Sequence, residues 1–334
     1  LPDGLTSIGA GAFSGCRSLR EFYIPLSVQH IGSKLFAGCH QLAQVKVHPD
    51  SPHLETIDGV LFNKGDKRLV WYPIGREDAA YTVPQGTQAI GEGAFDGCEY
   101  LQFLTLPDSL VGIGDRAFDG CANLQSINLP DGLTNIGAYT FSECKSLQSI
   151  VLPESVISIG YSAFNGCASL QSISIPDGMT RIEDWTFYGC ESLQSIVLPE
   201  SVTSIGYLAF GDCTNLQSIN IPDGVTSIEE GAFSGCASLQ SIILPDSLTS
   251  IGFRAFGFCD SIQSLTIPDS LINIGDEAFI GCTNLQRITF PKNMTSLSNG
   301  MFRSCYGLKK ITLPKGLVNI GTGAFDWCEN LQSF

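Results

Sequence analysis

With 334 residues, 43% of them hydrophobic and only 15% charged, the chain has ample apolar material for a folded core and no compositional case for disorder. Its 33 Asp and Glu against 18 Lys and Arg, a net charge of −15, have the wrong sign for neutralising a phosphate backbone, so nucleic acid is excluded as an expected partner. Gly, Pro, Ser or a charge interrupts every apolar stretch well short of the roughly 18–20 residues of a membrane span, so no membrane insertion is expected.

The chain opens at "LPDG" and closes at "NLQSF", each partway through a unit of a tandem repeat. It reads as a piece of a longer protein, cut within repeats at both ends and carrying neither a signal peptide nor an anchor. Cysteine sets the register. All 13 cysteines share one column: Cys16, Cys39, and then Cys98 to Cys328 in ten uninterrupted steps of 23 residues. Between Cys39 and Cys98 the span is 59 residues, one ordinary unit plus a further coil and 13 more. There, "GVLFNKGDKRLVWYP" has two apolar runs around Asn63-Lys64-Gly65-Asp66, which predicts a β-hairpin. From Tyr81, "YTVPQGTQAIGEGAF" resumes the ordinary grammar. The insert, at about 48–84, is accordingly read as a modified coil inside a single solenoid spanning 1–334, because repeats stack into one body.

The consensus unit is C-x-x-L-x-x-I-x-[LI]-P-[DE]-x-[VL]-x-x-I-G-x-x-A-F-x-G. In the unit beginning at Leu124, the alternation at Ile127, Asn128 and Leu129 predicts one short strand with one buried face, and Pro130 ends it for want of an N–H. After the turn-forming "PDG", Leu133, Ile136 and Phe141 follow a spacing that fits neither a sustained helix nor a strand. The reading is an irregular arm with at most a turn of helix near "AYTFSEC", and one strand per coil. Leu124, Ile127, Leu129, Leu133, Ile136, Phe141 and Cys144 form the expected inward set. The residue before the cysteine is often Gly, but Glu143, Asp212, Phe258, Ser304 and Trp327 also stand there, which suggests that positive φ is not required. "IVLPESVISIGYSAF" at Ile150 returns 46 residues later as "IVLPESVTSIGYLAF" at Ile196, so the array looks as though it grew by copying pairs.

This pattern resembles a leucine-rich repeat and, in the form "LPDGLTSIGAGAFSGC", the BspA-like subfamily of bacterial and protist surface proteins, over essentially the whole chain. It departs from the general leucine-rich consensus by placing Pro directly after the strand and by filling the interior with Cys and Phe columns in place of an Asn ladder. The resemblance implies an α/β-type leucine-rich repeat solenoid, curved and mostly β. A parallel sheet would line the concave face, with irregular or short-helical convex arms and 23-residue coils. It also implies a non-catalytic binding scaffold of a secreted or cell-surface protein that attaches to host extracellular or surface proteins, to mucin or glycan, or to other cells. A structural spacer presenting another domain and a carbohydrate-binding module are the alternatives.

Each column offers a candidate chemistry. Disulfides, metal binding and buried thiols are the three readings of the cysteines. In-register side chains point the same way, the number is odd and no C-x-x-C occurs, so buried thiols fit best. Carboxylates follow the proline at Asp108, Asp131, Glu154, Asp177, Glu200, Asp223, Asp246 and Asp269, one per coil, where a turn favours Asp in any case and a calcium repeat needs several. His30, His40, His48 and His53 form no metal or nucleophile motif, and neither a cofactor nor a catalytic set is expected. The outward strand positions remain. Constant Ser and Gln columns make a neutral centre, with Asn128 and Asn220 as its polar candidates. Towards the N-terminal end lie Arg20, Tyr23 and Lys46, with Phe103 and the insert's Trp71 and Tyr72 as exposed aromatics; towards the other end Arg287, Lys309 and Lys310 make a basic patch. Aromatics and arginine are what binding hot spots favour.

Overall fold

Two short strands, not one, come from most ordinary coils of the computed structural model, which describes residues 1–334. The coil that contributes Ser126–Asn128 also contributes Asn135–Ile136. The first alternates exposed, buried, exposed; the second exposes Asn135 and buries Ile136. The stretch from Pro130 to Leu133 turns the chain between them, closed by the Leu133 N–H donating to the Pro130 carbonyl at 3.2 Å. Strands this short persist because each pairs in register with its equivalent 23 residues away, as Ser126 with Ser149 and Asn135 with Ser158. The result is a parallel-strand solenoid of coils about 23 residues long.

The chain divides into two compact units, Leu1–Cys167 and Ala168–Phe334. In the first, the outward-facing ladder runs unbroken through Ala80–Thr82, Phe103–Thr105, Ser126–Asn128 and Ser149–Val151. In the second it is divided into pairs, Ser195–Ile196 with Ser218–Ile219 and Ser264–Thr266 with Arg287–Thr289, while the other ladder is continuous from Arg181–Ile182 to Asn273–Ile274.

No helix forms, and the short-helical arms implied by the resemblance are not found. In the arm before Cys121, the N–H groups of Arg116, Phe118 and Gly120 donate to carbonyls of Ala138, Thr140 and Ser142 on the next coil at 2.8–2.9 Å. The intervening N–H groups of Ala117, Asp119 and Cys121 close local turns onto residues three positions back. A helix needs all these donors for its own carbonyls. Alternate donors are aimed outwards by left-handed residues placed five and one positions before every cysteine, such as Arg116 (φ 55°) and Gly120 (φ 71°). The position before cysteine therefore does require positive φ, contrary to the expectation from its mixed composition: Glu143, Asp212, Phe258, Ser304 and Trp327 all adopt φ of 56–60°. The N–H groups of the first four reach the next coil, as Glu143 reaches the Asn165 carbonyl at 2.7 Å, and that requirement overrides a steric cost of about 1–2 kcal/mol for a non-glycine residue.

Inside, the phenylalanine column stacks ring on ring. Phe187, Phe210, Phe233, Phe256, Phe279 and Phe302 follow one another at centroid spacings of 5.3–5.7 Å and interplanar angles of 3–14°. All 13 cysteines are thiols outside any disulfide, and all except Cys16 are buried. The Sγ of Cys121 donates to the Phe95 carbonyl at 3.2 Å, and Cys144, Cys236 and Cys305 repeat the contact with the phenylalanine 26 residues earlier. A small apolar side chain with one weak donor satisfies a carbonyl that the turn leaves over. Six of the seven expected inward residues of the Leu124 unit are buried, and Leu129 is partly so.

Within the insert, the predicted hairpin is present: Val60–Asn63 pairs antiparallel with Arg68–Trp71, and the Gly65 N–H caps onto Asn63 Oδ1 at 2.8 Å. A preceding strand, Leu54–Ile57, adds a third antiparallel member through a two-residue turn at Asp58 (φ 49°) and Gly59 (φ 77°). Asp-Gly between apolar runs is the sequence signal for such a turn, and the reading by repeat register overlooks it. Arg68–Leu69 then pairs parallel with Ala89–Ile90, which joins the insert to the ordinary ladder.

Candidate functional site

Trp71 and Tyr72 are not surface aromatics. They are 4% and 2% exposed. Both faces of the hairpin strands are covered, so Trp71 meets Phe36 edge-on at 5.0 Å and Tyr72 stacks on Phe95 at 4.9 Å. Together they carry the aromatic column across coils that have no phenylalanine in register. Burial pushes the Tyr72 phenol up, and pushes that of its neighbour Tyr81, 4.9 Å away, up to about 12.

The other expected residues are exposed. Tyr23 and Lys46 are register partners on adjacent strands, and with Glu21 they edge a cavity of about 240 Å³. Arg20 donates its Nε–H to Gln41 Oε1 at 3.1 Å. Phe103 projects outwards between Ala80 and Ser126, and Asn128 faces out beside Val151. Asn220 is engaged in holding the ladder together. Its Oδ1 accepts from the Leu198 N–H at 2.9 Å and its Nδ2 donates to the Leu198 carbonyl at 3.2 Å, standing in for a ladder bond. Arg287 is in register with Ser264, and Lys310 bridges to Ser333, beside Lys309.

Composition of the constant columns hid one feature. The neutral centre carries aliphatic residues that face solvent: Val151 is 76% exposed in the first unit, and Val197 and Ile243 are 71% and 82% exposed in the second. They alternate with polar residues because of the 46-residue pairing of coils. The signal was present in the variable column, where β-branched residues recur at every second unit, but an outward-facing strand position is not where apolar residues are sought.

A sequence profile described as "BspA type Leucine rich repeat region (6 copies)" matches residues 1–67, 79–190, 157–270 and 203–332. The chain belongs to the BspA-type leucine-rich repeat family. Solved structures similar to this BspA-type chain include a leucine-rich cell surface protein from Faecalibacterium prausnitzii A2-165, 29% identical, with 85% of this chain and 89% of that one covered and a TM-score of 0.61. A leucine-rich repeat protein from Bacteroides ovatus ATCC 8483 is 30% identical over 98% of this chain and 81% of that one, with a TM-score of 0.65. The pneumococcal vaccine antigen PcpA is 26% identical over 75% of this chain and 60% of that one, with a TM-score of 0.54. No curated protein sequence matches. BspA-type repeats are protein-interaction scaffolds, generally non-catalytic, and no helix here is long and apolar enough to cross a membrane.

Proposed function

We propose that this chain is the binding portion of a secreted or cell-surface protein and mediates adhesion to host proteins or to other cells. The observation that carries the reading is the outward strand face of each unit, where large apolar side chains stand in solvent although the core has no use for them. In the first unit these are Tyr23, Phe103 and Val151, and in the second Val197 and Ile243. Exposed apolar groups set among polar ones are the composition of a recognition surface. The neighbours named as a cell surface protein and a vaccine antigen support an outward location.

Surface binding to immobilised fibrinogen, fibronectin, mucin and a glycan array at physiological salt tests the proposal. The control is a variant carrying Tyr23→Ala, Phe103→Ala, Arg287→Ala and Lys309→Ala. Saturable binding to a protein, lost in the variant, is the expected result. Binding to no member of the panel favours the spacer, and binding confined to the glycans favours the carbohydrate module.

A further inference from the structure

Charge is distributed unevenly along this acidic chain. From Ala278 to Phe325 there are six cations and no carboxylate, whereas the other 12 Lys and Arg share the rest of the sequence with all 33 Asp and Glu. Arg303 is paired with Glu277 and Asp326. The remaining five, Arg287, Lys292, Lys309, Lys310 and Lys315, are exposed and take part in no ion pair. The turn column shows the change most plainly, since the carboxylates that run from Asp108 to Asp269 give way to Lys292 and Lys315. Arg287 and Lys310 are likewise equivalent residues of adjacent coils, so like charges are gathered without an ion pair among them; the nearest carboxylate, Asp269 at the edge of the patch, accepts from the Lys292 backbone N–H at 3.2 Å.

The same coils part from each other. Arg287–Thr289 pairs with Ser264–Thr266 on one side, but no backbone hydrogen bond joins residues 287–290 to residues 310–314 on the other. A cavity of about 600 Å³ occupies the split, lined by Ile288, Phe290 and Lys292 of one coil and Leu313, Pro314 and Lys315 of the next. Phe290 stands before the proline where equivalent coils have Leu, Ile or Val, and its ring meets Phe302 edge-on at 5.9 Å. Ile288, Phe290 and Leu313 are each only partly buried, while Ile242, Leu244, Leu265 and Ile267 in the preceding coils are buried. The split therefore has an apolar floor between two lysines.

We propose that this split binds an acidic polypeptide segment in extended form, with carboxylates on Lys292, Lys315, Arg287 and Lys310 and an apolar side chain seated between Phe290 and Leu313. This deepens the scaffold reading and rests on it. The cations select a polyanion, and the apolar floor selects a peptide over a sulfated sugar, which has no hydrocarbon side chain to fill it. A second copy of this acidic chain is the remaining candidate occupant.

Fluorescence polarisation of a labelled peptide of alternating Glu and Leu tests the assignment. Saturable binding is expected, weakened at least about tenfold by Lys292→Gln with Lys315→Gln and similarly by raising salt from about 50 to about 500 mM. Replacing the peptide's Leu by Ser also weakens it. Both lysines are exposed and unpaired, so the double variant keeps the wild-type melting temperature; Phe290→Leu, which restores a residue usual in the column, weakens binding without lowering it. Unchanged affinity in the double variant overturns the proposal. So does tighter binding of a heparin oligosaccharide than of the peptide, or a salt-sensitive dimer of the chain alone in sedimentation. If the peptide does not bind while immobilised proteins still bind through Tyr23 and Phe103, this inference alone fails; if neither binds, the scaffold reading fails with it.

Discussion

The two units solve one packing problem with different regularity. In Ala168–Phe334 the core rings from Phe187 to Phe302 lie nearly parallel, whereas in Leu1–Cys167 the rings leading into the insert, Phe13, Phe22, Phe36 and Trp71, include three edge-on contacts at 61–74°. The outward strand ladder runs unbroken from Ala80–Thr82 to Ser149–Val151 in the first unit, where Phe22–Ile24 and Val45–Val47 form a separate pair, and in the second it is divided into pairs and holds the split beside Phe290. A regular aromatic core thus does not impose a regular strand face. Core spacing is fixed by the ring column and by the arm hydrogen bonds, so the outward strands are free to vary.

Removing a ring is the largest perturbation of that comparison. Phe233→Ala, from the parallel stack, is expected to lower unfolding stability by about 3–5 kcal/mol in denaturant titration, since it empties a fully buried site touched by rings on both sides. Phe13, only partly buried, should cost less on the same substitution. Equal losses at the two positions contradict the view that the stack carries the core.

Alkaline pH acts on both units through the thiols. Burial holds Cys121, Cys144, Cys236 and Cys259 above the ordinary value of 9.0, and Cys282 is raised to about 12. The folded state therefore holds these protons more tightly than the unfolded chain does. Their contribution is complete below about pH 9 and is lost as pH rises from there through the folded values, so the melting temperature should fall over that window. A thiol reagent at neutral pH should label Cys16 natively and all 13 after denaturation. Extensive native labelling contradicts the assignment of the cysteines to the core.

Smaller and opposite effects are expected in the left-handed columns. Ser304→Gly in the second unit removes the strain of a non-glycine residue at φ 60° and should raise stability by up to about 1 kcal/mol. Gly120→Ala in the first should lower it by about the same amount, because an added Cβ meets only ordinary contacts at 3.5 Å and the cost is in the backbone alone. The same sign for both substitutions contradicts the account of the arm.

The sequence showed the coil length, the buried columns and the hairpin, because each is written in a spacing: Cys98 to Cys328 at intervals of 23, or two apolar runs around Asn63–Asp66. What it concealed depends on backbone direction. Nothing in Glu143 or Phe258 as residue types announces a left-handed conformation; the constraint comes from a carbonyl on the next coil. Absence of helix follows from the same donors. At the candidate site, Trp71 and Tyr72 misled because an aromatic pair next to a turn looks exposed until the column missing a phenylalanine is seen to need filling. Val151, Val197 and Ile243 were overlooked for the converse reason, apolar residues at positions whose exposure only the strand register shows.

The most direct test of the account compares the strand face with the arm. A face variant, Tyr23→Ser, Phe103→Ser, Val197→Ser and Ile243→Ser, and an arm variant, Tyr161→Ser and Trp327→Ser, are assayed for binding to whichever protein the wild-type chain captures. All six side chains are exposed, so both variants should keep the wild-type fold. Loss of binding in the face variant and its retention in the arm variant is the predicted result. Retention in the face variant contradicts the claim that the outward strands are the recognition surface.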